Sequence, residues 1–80
     1  MNLTAYWGND DVSATIRISK ATWQSILAGN EYEATSRYYY EGKSYKANWY
    51  FNNGLLDIHG TDGRDCVLDR PVNELIIDAD

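Results

Sequence analysis

Residues 34–58, ATSRYYYEGKSYKANWYFNNGLLDI, decide how this chain folds, because two turn signals sit inside them. Asn53-Gly54 lies between two apolar runs. Both central residues of a type I′ turn need positive φ, and Asn-Gly tolerates that best. A turn centred there sets Phe51 opposite Leu56, Tyr50 opposite Asp57, Trp49 opposite Ile58 and Asn48 opposite His59. Glu41-Gly42, between Tyr40 and Lys43, is the second signal. It sets Tyr38 opposite Tyr45, Arg37 opposite Lys46, Ser36 opposite Ala47 and Ala34 opposite Trp49.

Side chains alternate across a strand, so the two registers test each other. One face collects Ala34, Ser36, Tyr38, Tyr40, Tyr45, Ala47, Trp49, Phe51, Leu56 and Ile58. The other collects Thr35, Arg37, Tyr39, Ser44, Lys46, Asn48, Tyr50, Asp57 and His59. Two independent turns thus agree on one apolar and one polar face. The weak point is Arg37 opposite Lys46, a like-charge pair that costs a few tenths of a kcal/mol or more. A longer Glu41-Gly42-Lys43 loop would relieve it and shift one strand by a residue.

Towards the N-terminus, Leu3 to Trp7 reads as a first strand and Gly8 to Asp11 as a turn. Val12, Ala14, Ile16 and Ile18 then alternate with Ser13, Thr15 and Arg17, a half-buried strand. Ser19 is an N-cap, and Ile18 and Trp23 flank it as a hydrophobic staple. Trp23, Ile26 and Leu27 make an apolar stripe, and Gly29 or Asn30 ends the helix in the left-handed conformation. Towards the C-terminus, Asp62-Gly63 would turn Cys66 to Leu68 back beside Asp57 to His59, with Cys66 across from His59. Asp69-Arg70-Pro71 should break that strand. Glu74 to Asp78 is a final short strand or an extended tail, and Leu75-Ile76-Ile77, lacking alternation, is buried on both faces or paired with a partner. The expected fold is a single α+β domain over residues 1–80. Its antiparallel sheet has five or six short strands, ordered β-β-α-β-β-β with a C-terminal strand as an option, and packs against one short helix.

Eighty residues make a small core, and aromatics at 14% enlarge it. Cys66 is the only cysteine, which excludes an internal disulfide or a cysteine-based zinc site. With no signal-peptide pattern and no long apolar run, a cytoplasmic protein that does not enter a membrane is expected. Net charge is −5. Residues 1–56 carry five acids and five bases, whereas residues 57–80 carry seven acids and two arginines, so the whole excess falls in the last third. A nucleic-acid binder needs cations for phosphate, and this balance argues against direct nucleic-acid binding. It suits a basic protein surface. Solubility alone is the plainer account of the same acids.

No catalytic motif is present. Asp57, His59, Asp62 and Asp65 crowd one turn, but their spacing does not fit a calcium loop, and a solvated acidic turn explains them. The acidic surroundings of Cys66 raise a thiol's pKa and weaken it as a nucleophile. No phosphate-binding glycine loop or nucleophile elbow occurs. The expectation is therefore no enzyme, no metal and no cofactor.

What remains is surface. Tyr, His and Asn on the polar face offer contact area with polar tips at low entropic cost. The expected partner-binding residues are Asp57, Asp62, Asp65, Asp69, Glu74 and Asp78, with Tyr39, Tyr50 and His59. They would present carboxylates to a basic protein, in the sharpest form a nucleic-acid-binding protein whose phosphates they imitate. In small size, acidity and lack of catalytic residues the chain resembles phage-encoded anti-defence inhibitors such as anti-CRISPR proteins, a likeness of profile carried by no motif. The alternative is a small-ligand or homo-oligomeric assembly module. Tyr39, Tyr50 and Trp49 would line an aromatic cleft, or the edge near Leu75 to Ile77 would pair with its copy. Either a monomer or a homodimer is compatible with these readings.

Overall fold

A computed structural model describes residues 1–7, 12–40, 42–60 and 66–79, with the backbone alone at 6–7, 12, 40, 66–69 and 75–79. The Asn53-Gly54 turn has φ of 53° and 77° at its two residues, the positive pair that type I′ demands. In chain order the elements are β1 (Asn2–Trp7), β2 (Val12–Arg17), α1 (Lys20–Leu27), β3 (Tyr32–Tyr40), β4 (Lys43–Asn52), β5 (Leu55–Gly60), β6 (Cys66–Pro71), α2 (Val72–Leu75) and β7 (Ile76–Ala79). The strands form one sheet in the order β6-β5-β4-β3-β2-β1-β7, antiparallel throughout.

Both hairpin registers hold. Arg37 stands opposite Lys46, Tyr38 opposite Tyr45 and Tyr50 opposite Asp57. No strand has slipped to separate Arg37 from Lys46. Instead Arg37 Nε donates to Ser44 Oγ at 2.6 Å, two residues along the neighbouring strand from Lys46, which gives the guanidinium a neutral partner. Gly42, with φ of 76°, supplies the positive backbone of that turn, while Glu41 lies outside the described residues.

The inward face is a continuous core. Leu3, Ala5, Ala14, Ile16, Tyr38, Ala47, Trp49, Phe51, Leu56 and Ile58 are all buried. Tyr38 stacks on Tyr45 with ring centres 5.3 Å apart, and Trp49 leans on Phe51 at 6.1 Å. Ser36 is the polar residue on this face. Its Oγ accepts the Trp49 indole N–H at 2.8 Å, so the indole keeps its polar end satisfied while the ring is buried.

Helix α1 lies against this same face. Ser19 Oγ accepts the Thr22 N–H at 3.1 Å, the expected cap. The helix ends in a Schellman motif: Gly29 N–H donates to Ile26 and Asn30 N–H to Ser25, with φ of 97° at Gly29. The apolar stripe is narrower than its spacing suggests. Ile26 is buried and Trp23 packs on the core, but Leu27 is 55% exposed. Successive helix residues are about 100° apart, so with Ile26 aimed at the sheet Leu27 turns outward.

The Asn53-Gly54 turn also holds both helices. Asn53 N–H donates to the Gly29 carbonyl at 3.1 Å, tying down the exit of α1. The Gly54 carbonyl accepts the Val72 N–H at 2.9 Å, tying down the start of α2. Val72 is buried and joins the core.

Strand order and connection length together require curvature. Strands β6 and β7 are the outermost of seven, so in a flat sheet they would lie about 29 Å apart at about 4.8 Å per spacing. The connection between them, Val72–Leu75, is one helical turn, about 6 Å long. The sheet must therefore curl until its edges approach, giving an incomplete barrel with α2 between them. The inward face becomes the filled interior and the polar face the convex exterior. The radius of gyration, 11.8 Å, matches the ~11.6 Å of a compact globule of this length.

The C-terminal part differs from expectation in two respects. Pro71 does not break β6 after Leu68; the strand runs through it, pairing Arg70 with Leu56 and Pro71 with Leu55. β6 is an edge strand, where the missing N–H of proline faces no neighbour. Residues 76–79 form a strand on β1, pairing Ala79 with Leu3 and Asp78 with Thr4, so the optional C-terminal strand is present and the described residues make seven strands. Glu74 belongs to α2 and not to that strand. The expected turn at Asp62-Gly63 lies outside the described residues.

Candidate functional site

The exterior of β3, β4 and β5 is uncovered, since α1 takes the opposite face. The register sorts its side chains into rows. Arg37 and Lys46 form one pair, Thr35, Asn48 and His59 the next row, and Glu33, Tyr50 and Asp57 the row after that. Successive rows are two residues apart on each strand, about 6.7 Å. Cations therefore collect towards the Gly42 turn and anions towards the Asn53-Gly54 turn.

Tyr50 is the centre of the anionic end. Glu33 flanks it on β3 and Asp57 on β5, and its hydroxyl donates to Glu31 Oε1 at 3.1 Å. The Glu31 hydrogen bond, slight desolvation and the charges of Glu31, Glu33 and Asp57 hold the phenol above its ordinary value of 10.0. Beside it a shallow depression of about 560 Å³ is bordered by Glu33, Thr35, Asn48 and Tyr50. An aromatic ring ringed by carboxylates is suited to a cation: the π-face and the negative charges attract the same ligand.

At the other end Tyr39 is 66% exposed and lies beside Arg37, with Ser13 and Thr15 across the boundary between β2 and β3. Among the described residues that boundary is paired at one bridge, Ala14 with Tyr38, and an open groove of about 470 Å³ lies along it.

The residues expected to bind a partner are not all gathered in one place. Tyr39, Tyr50, Asp57 and His59 share the exterior, and Asp57 belongs to the anionic end. Asp69 comes near Asp57 in register, because a bulge sets Leu68 and Asp69 against Asp57. Glu74 is exposed on α2. Asp78 sits on β7 opposite Thr4, at the other edge of the sheet. Asp62 and Asp65 lie outside the described residues. The aromatic cleft of Tyr39, Tyr50 and Trp49 does not form. Trp49 is 1% exposed inside the barrel, and Tyr39 pairs with Ser44, six residues or about 20 Å along β4 from Tyr50. The Leu75 to Ile77 edge is partly used internally, with Ile76 paired to Ala5.

Cys66 does pair with His59 across β5 and β6, as its spacing suggested. Among the described residues no group of three or more His, Cys, Asp or Glu is placed to hold a metal ion, and no helix is long and apolar enough to cross a membrane.

Glu31 and Glu33 are the site residues that a charge count misses. They fall within the electrically neutral first 56 residues. The Glu41-Gly42 register, continued one residue past Ala34 opposite Trp49, sets Glu33 opposite Tyr50, and that continuation is the signal in the sequence.

Comparison with protein-family models, curated proteins and solved structures yields no match to this chain.

Proposed function

We propose that this domain is a non-enzymatic protein-binding module that takes a cationic side chain of a basic partner at Tyr50. The observation that carries this reading is the arrangement of Glu31, Glu33 and Asp57 around that ring on an uncovered sheet face. A lysine or arginine laid on the phenol would meet the ring and two or three carboxylates at once. Asp69 is in register with Asp57 through the bulge. In its sharpest form the module is an inhibitor whose carboxylates stand in for nucleic-acid phosphates on a nucleic-acid-binding protein. It then needs neither a cofactor nor nucleic acid of its own, and it works in the cytoplasm.

A titration with a lysine- and arginine-rich peptide, followed by calorimetry and by amide shifts at Tyr50, tests the site. Binding should weaken steeply with salt, since exposed pairs are screened over about 8–10 Å. It should fall at least about tenfold in the Glu31→Gln/Glu33→Gln variant. Affinity that ignores both salt and these two substitutions removes the proposal. A pull-down from source lysate at low and high salt would then identify the natural partner.

A further inference from the structure

The charge pattern of the exterior is antisymmetric along the strands. The cationic pair Arg37 and Lys46, and the pair formed by the anion Glu33 and the neutral Tyr50 phenol that donates to Glu31, lie on opposite sides of the neutral pair Thr35 and Asn48, at equal distances of about 6.7 Å. All are exposed except Tyr50, which is half-buried. A face with this symmetry is complementary to itself. Lay a second copy against it, with a two-fold axis running across the strands along Thr35 and Asn48. Each strand then meets its own counterpart running the other way. Arg37 comes onto Glu33 of the second copy, and Lys46 comes onto the Tyr50 ring of the second copy, whose hydroxyl is held by Glu31. The two neutral residues meet themselves at the axis.

We infer that the chain associates weakly with a second copy through the exteriors of β3 and β4, in this antiparallel two-fold register, and so masks the Tyr50 site until a basic partner displaces it. The inference rests on the reading of Tyr50 as a cation acceptor and names a second occupant for it. Charge decides the register: the parallel alternative would set Arg37 on Arg37 and Glu33 on Glu33, which is repulsive at both charged rows. Convexity decides the extent. Arg17, across the weakly bridged β2–β3 boundary, would face its own counterpart, so the favourable contact is confined to two strands. A strip of roughly 30 Å by about 12 Å buries about 350 Å² from each copy, well under a standard interface. The dimer is thus weak, reversible and salt-sensitive.

Sedimentation equilibrium of the full chain, from micromolar to millimolar concentration at low and high salt, measures it. Wild-type protein should dimerise with concentration and revert in high salt. Arg37→Glu and Glu33→Arg should each weaken association at least about tenfold, because each turns two symmetry-related attractions into repulsions. Arg37→Glu/Glu33→Arg should restore it. Residues 33 and 37 are four apart on one strand, about 13 Å, so a restored dimer has no explanation within one chain. Circular dichroism of each variant confirms folding. A chain monomeric at all concentrations, single reversals without effect, or a double reversal that stays monomeric overturns the inference. Peptide titration of the same samples separates the two proposals. A monomer that binds the basic peptide leaves the Tyr50 site standing and removes the dimer. A dimer that ignores the peptide keeps the association but removes the Tyr50 site and the masking role built on it.

Discussion

The Trp49 indole offers a quantitative test of the inward face. Its ring is 1% exposed, and its N–H donates to Ser36 Oγ at 2.8 Å. Ser36→Ala preserves backbone and register but removes the acceptor. A buried donor left without a partner costs about 1–3 kcal/mol. Ser36 is half-buried, so water entering the vacated space offsets part of this, and a loss of about 1–2 kcal/mol is expected. For a domain of this size that lowers Tm by about 4–16 °C. Trp49→Phe removes the donor at its own cost in lost ring contacts with Phe51 and the surrounding core. In that background Ser36→Ala strands nothing and should cost under about 0.5 kcal/mol, so the double-mutant cycle should show a coupling of about 1–2 kcal/mol. Urea unfolding followed by far-ultraviolet circular dichroism gives all four free energies. Equal losses from Ser36→Ala in the two backgrounds would mean that the indole does not depend on Ser36, and the inward placement of Trp49 would be wrong.

Two further outcomes are expected. Gly54→Ala should cost about 1–2 kcal/mol from the positive φ of 77° alone, because nothing lies within 4 Å of an added Cβ; Gly54→Asn should recover most of it, and unchanged urea midpoints for the alanine variant would refute the type I′ turn. In a tyrosinate-absorbance titration, Tyr50 should ionise above its ordinary value, and Glu31→Gln should bring it down. The folded phenol keeps its proton to higher pH than the unfolded one, so its contribution to stability is complete below about pH 10 and is lost as pH rises through the folded value. Tyr50→Phe should therefore flatten this part of the alkaline stability curve, and a curve superimposable on wild type would dismiss the coupling.

The hairpins were legible because local chemistry encodes them. Asn53-Gly54 accepts a backbone few other pairs accept, and a one-residue slip would have turned Trp49 and Phe51 to water. The helix was legible at its ends, where Ser19 and Gly29 do specific work on the backbone, but less so on its faces, because a stripe gives spacing without saying how wide the contact is. The edges were not legible. Pro71 looks like a strand breaker until β6 is known to have no neighbour on that side. The unalternated Leu75-Ile76-Ile77 became legible only with the strand order, which depends on contacts between residues more than 70 positions apart, such as Leu3 with Ala79. Curvature followed from that order and the length of α2, neither of which the alternation pattern contains.

Charge was the quantity most altered by folding. Residues 1–56 sum to zero, yet β3 carries Glu33 and Arg37 about 13 Å apart, beyond a Debye length at physiological salt, so the two ends act separately on anything that approaches. Antiparallel pairing then brings like charge to like. Arg37, late on β3, meets Lys46, early on β4, while Glu33 and Asp57 close on Tyr50 from either side. The Arg37–Lys46 alignment disfavours folding by a few tenths of a kcal/mol or more. Exchanging Arg37 and Glu33 would relieve both ends at no cost to the core behind them, setting a carboxylate opposite Lys46 and a guanidinium beside Tyr50 and near Asp57. A face ordered by stability alone would pair opposite signs across its strands. This face separates its charges, and the energy it forgoes within the sheet is available only to a body outside it.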